Sequence, residues 1–221
     1  GMAANFGDID KDGYLDLYFA TGNPSYKSII PNKLFRNIGG KRFADVTVSA
    51  RVGNIQKGHG VSFADLNNNG DQDIIVDLGG AYRGDAYHTS VYLNPGQNTN
   101  NWICLQLEGS KSNRAAIGAK VTVKFTENGV KRMVYRIVNS GASFGASPLR
   151  RQIGIGKATT INEIIIEWPS SGITQTLRHI QPNKFIKITE GKDGFEPSPI
   201  KTLIFRKADG SIPMCAPPPI P

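Results

Sequence analysis

Cysteine is nearly missing from this chain: its 221 residues hold two, Cys104 and Cys215. Two cysteines rule out a disulfide framework. Cys104 lies in an apolar, strand-like run and reads as buried, and a single Cys104–Cys215 bridge stays open. Histidine is also scarce, with three, His59, His88 and His179. No two of them stand at metal-ligand spacing. His59 reads as a packing residue in a strand, His88 stands near Asp85 with no further ligand, and His179 follows Arg178 at a strand end. No apolar run reaches the ~18 residues a membrane-spanning helix needs. No segment keeps a helical period over ~11 residues. No Gly-rich loop precedes a helix to cradle phosphate, and aromatics do not interleave with basic residues as in nucleic-acid readers. Catalysis needs a nucleophile with its base, or an open metal site with an acid–base partner. Neither is present, so the chain reads as a non-enzyme with no nucleic-acid partner and no membrane span. No signal peptide opens it, and Gly1 ahead of Met2 reads as the scar of a removed tag.

What the chain does have is acid in two places. Asp8-Ile9-Asp10-Lys11-Asp12-Gly13-Tyr14-Leu15-Asp16 and Asp65-Leu66-Asn67-Asn68-Asn69-Gly70-Asp71-Gln72-Asp73 lie 57 residues apart and share one spacing. Side-chain oxygens fall at loop positions 1, 3, 5 and 9, with Gly at position 6. Ca²⁺ is a hard cation that takes roughly six to eight oxygens in a flexible shell. Asp8, Asp10, Asp12 and Asp16 would supply carboxylates and Tyr14 a main-chain carbonyl. Asp65, Asn67, Asn69 and Asp73 would do the same in the second loop, with the carbonyl of Asp71. Gly13 and Gly70 permit the sharp turn. Two Ca²⁺ sites are therefore expected, the first tighter, because affinity follows ligand charge and rigidity. An EF-hand would need Glu at position 12 and flanking helices. Here position 12 is Phe19 or Val76, and the runs Leu17-Tyr18-Phe19 and Ile74-Ile75-Val76 read as buried strands.

The repeat extends past the loops. At the same offset Phe6 matches Phe63, Gly22 matches Gly79 and Asn37 matches Asn94. Leu34-Phe35-Arg36-Asn37-Ile38-Gly39 aligns with Val91-Tyr92-Leu93-Asn94-Pro95-Gly96. Such a period points to a propeller or a solenoid. The stretch Gly7 to Leu17, with Asn32-Lys33-Leu34-Phe35-Arg36-Asn37 and Phe43-Ala44-Asp45-Val46-Thr47, resembles an FG-GAP/VCBS repeat. That resemblance covers about residues 3–97 and implies calcium-binding β-propeller blades, as in integrin α-chains and many secreted bacterial proteins. The second loop departs from it by placing Asn67 and Asn69 where Asp is usual. A propeller takes about four to eight blades, so residues 1–97 read as one and a half to two blades of an incomplete one. On this reading the chain is the C-terminal piece of a longer protein, or its open strand edges pair in an oligomer.

The character changes after the turn-rich Pro95-Gly96-Gln97-Asn98-Thr99-Asn100. Val121, Val123 and Phe125 alternate with Thr122 and Lys124. Residues 130–138 follow across Asn128-Gly129. Ile164, Ile166 and Trp168 alternate with Ile165 and Glu167, and Phe185-Ile186-Lys187-Ile188 closes the series. Short strands with regular turns predict a β-sandwich over residues 98–191. Residues 192–221 form a tail in which Leu203-Ile204-Phe205 reads as a docking strand ahead of a Pro-rich end. Residues 101–109, Ser112-Asn113-Arg114, Ile117-Gly118-Ala119, Gly141-Ala142-Ser143-Phe144, Ile155-Gly156 and Trp168-Pro169-Ser170-Ser171-Gly172 resemble an ASPIC/UnbV domain. That family commonly follows VCBS repeats, as in proteins similar to cartilage acidic protein, and implies an architecture rather than an activity. The fold expected is thus all-β: partial propeller blades, then a β-sandwich-like domain.

Charge divides the chain at the same place. Residues 1–97 hold 9 Lys/Arg against 10 Asp/Glu, and residues 98–191 hold 13 against 5. Lys131, Arg132, Arg136, Arg150 and Arg151 are the residues by which a basic domain would attract an acidic polysaccharide. The function expected is a calcium-binding binding or adhesion module for a protein or carbohydrate ligand, part of a larger secreted protein, extracellular, cell-surface or periplasmic, with structural calcium. The alternatives are an accessory domain of a secreted enzyme and a basic binder of acidic polysaccharide.

Overall fold

The computed structural model describes residues 1–205, apart from residues 24, 26, 81, 86, 97, 140 and 199. Among the described residues every regular element is a strand, as the sequence predicts, and the strands form four small sheets. The first sheet runs β1 (Ala3–Gly7), β2 (Asp16–Ala20), β3 (Lys33–Ile38) and β4 (Arg42–Asp45) in chain order. The second repeats it with β5 (Gly58–Ala64), β6 (Asp73–Leu78) and β7 (Ser90–Tyr92). Register repeats too: Phe6 pairs with Leu17 and Leu17 with Phe35, while Phe63 pairs with Ile74 and Ile74 with Tyr92. Tyr18, Ala20 and Leu34 of one sheet and Val61, Phe63, Ile74 and Val76 of the other form one core. Each buried Val, Leu, Ile or Phe among them, fully withdrawn from water, contributes about 1.5–3 kcal/mol. The repeat is not a copy throughout. Phe63 is fully buried and Phe6 is half exposed, and among the described residues the second sheet has no counterpart of β4.

The second half is a two-sheet sandwich. It contains β8 (Asn101–Glu108), β9 (Lys120–Glu127), β10 (Val130–Ile137), β11 (Arg151–Gly156), β12 (Ile161–Glu167), β13 (Thr174–Ile180), β14 (Lys184–Thr189) and β15 (Glu196–Pro197). One sheet has the order β10-β9-β12-β13 and the other β11-β8-β14-β15. Alternation works as expected. Val121, Val123, Phe125, Ile164 and Ile166 enter a core shared with Ile103, Leu105, Ile153, Ile186 and Ile188. Asn128 and Gly129 both have positive φ, 50° and 80°, which suits a tight hairpin of the primed type. Cys104 is buried in β8 and forms no disulfide among the described residues, and burial pushes its thiol up to about 12. Cys215 lies outside the described residues.

One feature departs from the sequence reading. Leu203, Ile204 and Phe205 are exposed and form no strand. The free edge of β14 is already taken by β15, which pairs Pro197 with Ile186. The edges of β1 and β5 are not left bare either. Residues 143–147, between β10 and β11, lie along both. Ala4 bridges Ser143, the Val61 N–H donates to the Phe144 carbonyl at 3.1 Å, and the Phe63 N–H donates to Ser147 Oγ at 3.3 Å.

Candidate metal-binding loops

Each acidic loop joins the first two strands of its sheet, and both fold alike. Lys11 and Asn68, at position 4, each have φ of 58°. Gly13 and Gly70, at position 6, have φ of 90° and 92°. The left-handed turns aim the following amides inward, onto the carboxylate at position 1. Asp8 accepts from the N–H of Asp12 at 3.0 Å and Gly13 at 3.0 Å. Asp65 accepts from Asn69 at 3.0 Å and Gly70 at 2.9 Å. Position 9 closes the loop and ties it to the third strand. Asp16 accepts from the N–H of Ile9 at 2.9 Å and Asn37 at 2.8 Å. Asp73 accepts from Leu66 at 2.9 Å and Asn94 at 2.8 Å. The matched Asn37 and Asn94 therefore belong to the loops as well as to the strands.

The acids differ in company. In the first loop Asp8, Asp10 and Asp16 each offer an oxygen within 4.8 Å of the others, and Asp8 and Asp16 are buried. Burial pushes Asp8 up to about 7, with Asp12 and Asp10 adding to the rise and Arg136 opposing it. Burial likewise pushes Asp16 up to about 8. Converging, desolvated carboxylates are a poor arrangement by themselves and a good one around a divalent cation. The set of hard oxygens fits Ca²⁺. Asp12 stands outside that trio, its carboxylate accepting from the Tyr14 N–H at 2.8 Å. Asp10 also pairs with Arg36 at 2.6 Å. In the second loop Asn67 and Asn69 replace two carboxylates, leaving Asp65 and Asp73, and burial raises both. The Asp71 carboxylate does not join this group. It meets the Lys11 Nζ at 2.5 Å, a salt bridge from one loop to the other with both side chains 8% exposed.

The second half holds both loops from outside. Arg132 donates to the Asp12 carbonyl at 2.8 Å and Arg136 to the Gly13 carbonyl at 3.1 Å. The Gly154 N–H donates to the Asp8 carboxylate at 3.1 Å, and a Cβ on Gly154 would stand 2.3 Å from the Lys11 carbonyl carbon. Arg150 donates to the Asp65 carbonyl at 2.8 Å, and Trp102 packs where a Cβ on Gly70 would be. Three of the five basic residues picked out for an acidic partner thus serve the loops. Of the other two, Lys131 is exposed and Arg151 bonds Asn139. The tail docks here too, with the Leu203 N–H on the Asn67 carbonyl at 2.7 Å.

The histidines stay apart from these acids. His59 is in β5, and its Nε2 is buried without a partner. His88 is exposed, and the neighbouring Asp85 is taken by Lys57 at 2.7 Å. His179 sits near the end of β13 with φ of 54°. One carboxylate escaped notice in the sequence. Glu190, just past β14, accepts from the N–H groups of Ser110, Lys111 and Ser112, each at 2.7 Å, and from the hydroxyl groups of Ser112 at 2.8 Å and Ser171 at 2.5 Å. Burial opposes its charge, yet these donors hold it down at about 2. Residues 80 apart carry no local pattern, so only the run Ser110-Lys111-Ser112 hinted at a cradle.

Fold and loops together define an all-β, β-propeller-type module. A family model for the FG-GAP-like repeat matches residues 8–76, and one for ASPIC and UnbV matches residues 109–194. The two matches run in that order along the chain, an FG-GAP-like repeat region and then an ASPIC/UnbV region. A search among curated proteins returns no match.

Proposed function

We propose that the chain is a calcium-braced binding module that works outside the cytosol, in an extracellular, cell-surface or periplasmic setting, and binds a partner without turning it over. One observation carries the reading: three carboxylates, Asp8, Asp10 and Asp16, converge within 4.8 Å in a largely buried loop. Asp12 and the Tyr14 carbonyl would complete that shell, and Asp65, Asn67, Asn69, Asp73 and the Asp71 carbonyl would form a second, weaker one. Bound Ca²⁺ would supply positive charge, and the loop amides already fix the ligands. Millimolar calcium outside cells suits such sites. A ligand held only by the folded state stabilises it by about 2.7 kcal/mol at a hundredfold excess over Kd. Thermal melts with calcium and with chelator test this directly. A higher Tm in calcium, reversed by chelator, is expected, and equal melts would overturn the reading.

A further inference from the structure

In both acidic loops the main-chain carbonyls bond to other parts of the chain, but the two loops find different donors. The sandwich half and the turn leading into it serve positions 3 to 6 of the first loop. Asn100 Nδ2 donates to the Asp10 carbonyl at 2.8 Å and the Gly156 N–H to the Lys11 carbonyl at 2.9 Å, beside Arg132 and Arg136 on Asp12 and Gly13. In the second loop the sandwich serves positions 1 and 6, through Arg150 on the Asp65 carbonyl and Gln152 on the Gly70 carbonyl. Positions 3 and 4 are held by the C-terminal tail instead. The Leu203 N–H donates to the Asn67 carbonyl at 2.7 Å, the Thr202 hydroxyl to the Asn68 carbonyl at 3.2 Å, and Asn68 Nδ2 to the Lys201 carbonyl at 2.9 Å. The Asn68 side-chain oxygen also accepts from Arg150 at 3.0 Å, so one residue joins tail, loop and sandwich. The tail itself is lightly packed: Leu203, Ile204 and Phe205 are 50%, 64% and 38% exposed and belong to no strand. Upstream it is anchored at Ser198, whose N–H donates to the Phe185 carbonyl at 2.9 Å.

We infer that residues 201–203 are a strap that positions the second loop for its cation, and that cation binding and strap docking strengthen each other. This rests on the calcium reading above and names the segment that regulates the weaker of the two sites. Asn67 would ligate through its side chain, and the strap fixes the main chain of that residue and the next. A loop with two carboxylates has less charge with which to draw its ligands together than a loop with three. It therefore gains more from ligands that are set in place beforehand. A segment with little buried apolar surface and exposed hydrogen bonds opens at low free energy, so the strap can release while the sandwich stays folded. Linkage between the two events is reciprocal: by whatever factor docking raises cation affinity, the cation raises docking.

Digestion of the whole chain with endoproteinase Lys-C, followed by intact mass, reads docking at the exposed Lys201–Thr202 bond. Cleavage there is expected to be at least about fivefold slower in calcium than in chelator, the low end of ordinary coupling between sites. Asp65→Asn, in the second loop, should abolish that protection, and Asp10→Asn, in the first, should keep it. Calorimetry reads the reciprocal effect. A chain ending at Ser198 should bind calcium at the second loop at least about fivefold more weakly, with the first loop unchanged. Equal cleavage in calcium and chelator, protection that survives Asp65→Asn, protection lost in Asp10→Asn, or full calcium affinity in the shortened chain would each overturn the proposal. Should Asp65→Asn fail to fold, Asn67→Ala takes its place. Should the shortened chain fail to fold, Leu203→Pro replaces it, removing one donor at a half-exposed residue. The calcium reading reports separately: calcium heat in the wild type with Lys201 unprotected sinks the strap alone, and no calcium heat sinks both.

Discussion

The two acidic loops share a backbone and differ in charge. Their φ angles agree to within a few degrees, and their amides reach the same two carboxylates. One loop nevertheless gathers three carboxylates and the other two. In both loops positions 1 and 9 gather the hydrogen bonds that shape the turn. The carboxylate count is set separately, at positions 3 and 5. Sequence spacing shows the first property, and residue identity within that spacing shows the second.

The separation is broken most sharply at position 9. Asp16→Ala and Asp73→Ala each strip the acceptor from two amides, at 2.9 and 2.8 Å in both loops. An orphaned buried donor costs about 1–3 kcal/mol, so each variant should lose roughly 2–5 kcal/mol, with chelator present as well as without. Denaturant titration in chelator measures it. A loss seen only in calcium would mean that the metal, not the amides, holds the loops. Position 3 should behave in the opposite way. Asp10→Asn is expected to cost little in chelator and to remove much of the calcium-dependent stabilisation, which is about 2.7 kcal/mol at a hundredfold excess over Kd. Asn67→Asp with Asn69→Asp should raise the calcium response of the second loop. Calorimetry on both variants decides whether the first loop is the tighter.

Glu190 shows what a carboxylate does when donors alone surround it. Its pKa is held at about 2, below the ordinary 4.5, so the folded state binds its proton less readily than the unfolded chain. Its contribution is fully present above pH ~4.5 and is lost as pH falls toward 2. Glu190→Gln should cost about 1.5–3 kcal/mol near neutral pH, the range for hydrogen bonds to a charged group. The cost should be equal in calcium and in chelator, and should shrink in acid. A pH series of melts on wild type and variant reads all of this. A calcium-dependent cost would link the sandwich to the loops more tightly than their contacts suggest.

Much of the fold was legible because strands carry their own period. Val121, Val123 and Phe125 face inward, and Leu17-Tyr18-Phe19 follows its loop as a strand. The spacing of the two acidic loops was legible because it is local. What the sequence hid was non-local. The Asp71 side chain serves Lys11 of the other loop, Arg132 and Arg136 cap carbonyls more than a hundred residues away, and Glu190 finds its donors across the sandwich. Leu203-Ile204-Phe205 has strand composition yet pairs with no strand: β15 already occupies the edge of β14, and the Leu203 N–H goes to the Asn67 carbonyl. Composition reports what a segment prefers, and only the assembled sheets report which partners remain.

The smallest effect tests the charge difference at a single contact. Arg36 Nε meets the Asp10 carboxylate at 2.6 Å, with the arginine 46% exposed. At the repeat offset its counterpart is Leu93, and the counterpart of Asp10 is Asn67. Position 3 of the first loop thus has both a carboxylate and its arginine, and the matching positions of the second loop have neither. Exposed pairs of this kind contribute about 0–1 kcal/mol, so Arg36→Ala should barely move the melt in chelator. It should also strengthen calcium binding in the first loop, since Asp10 would no longer be shared between two cations. Calorimetry in low salt is the measurement, because screening weakens an exposed charge effect. Weaker calcium binding in Arg36→Ala would mean that the arginine positions Asp10 for the metal instead of competing with it.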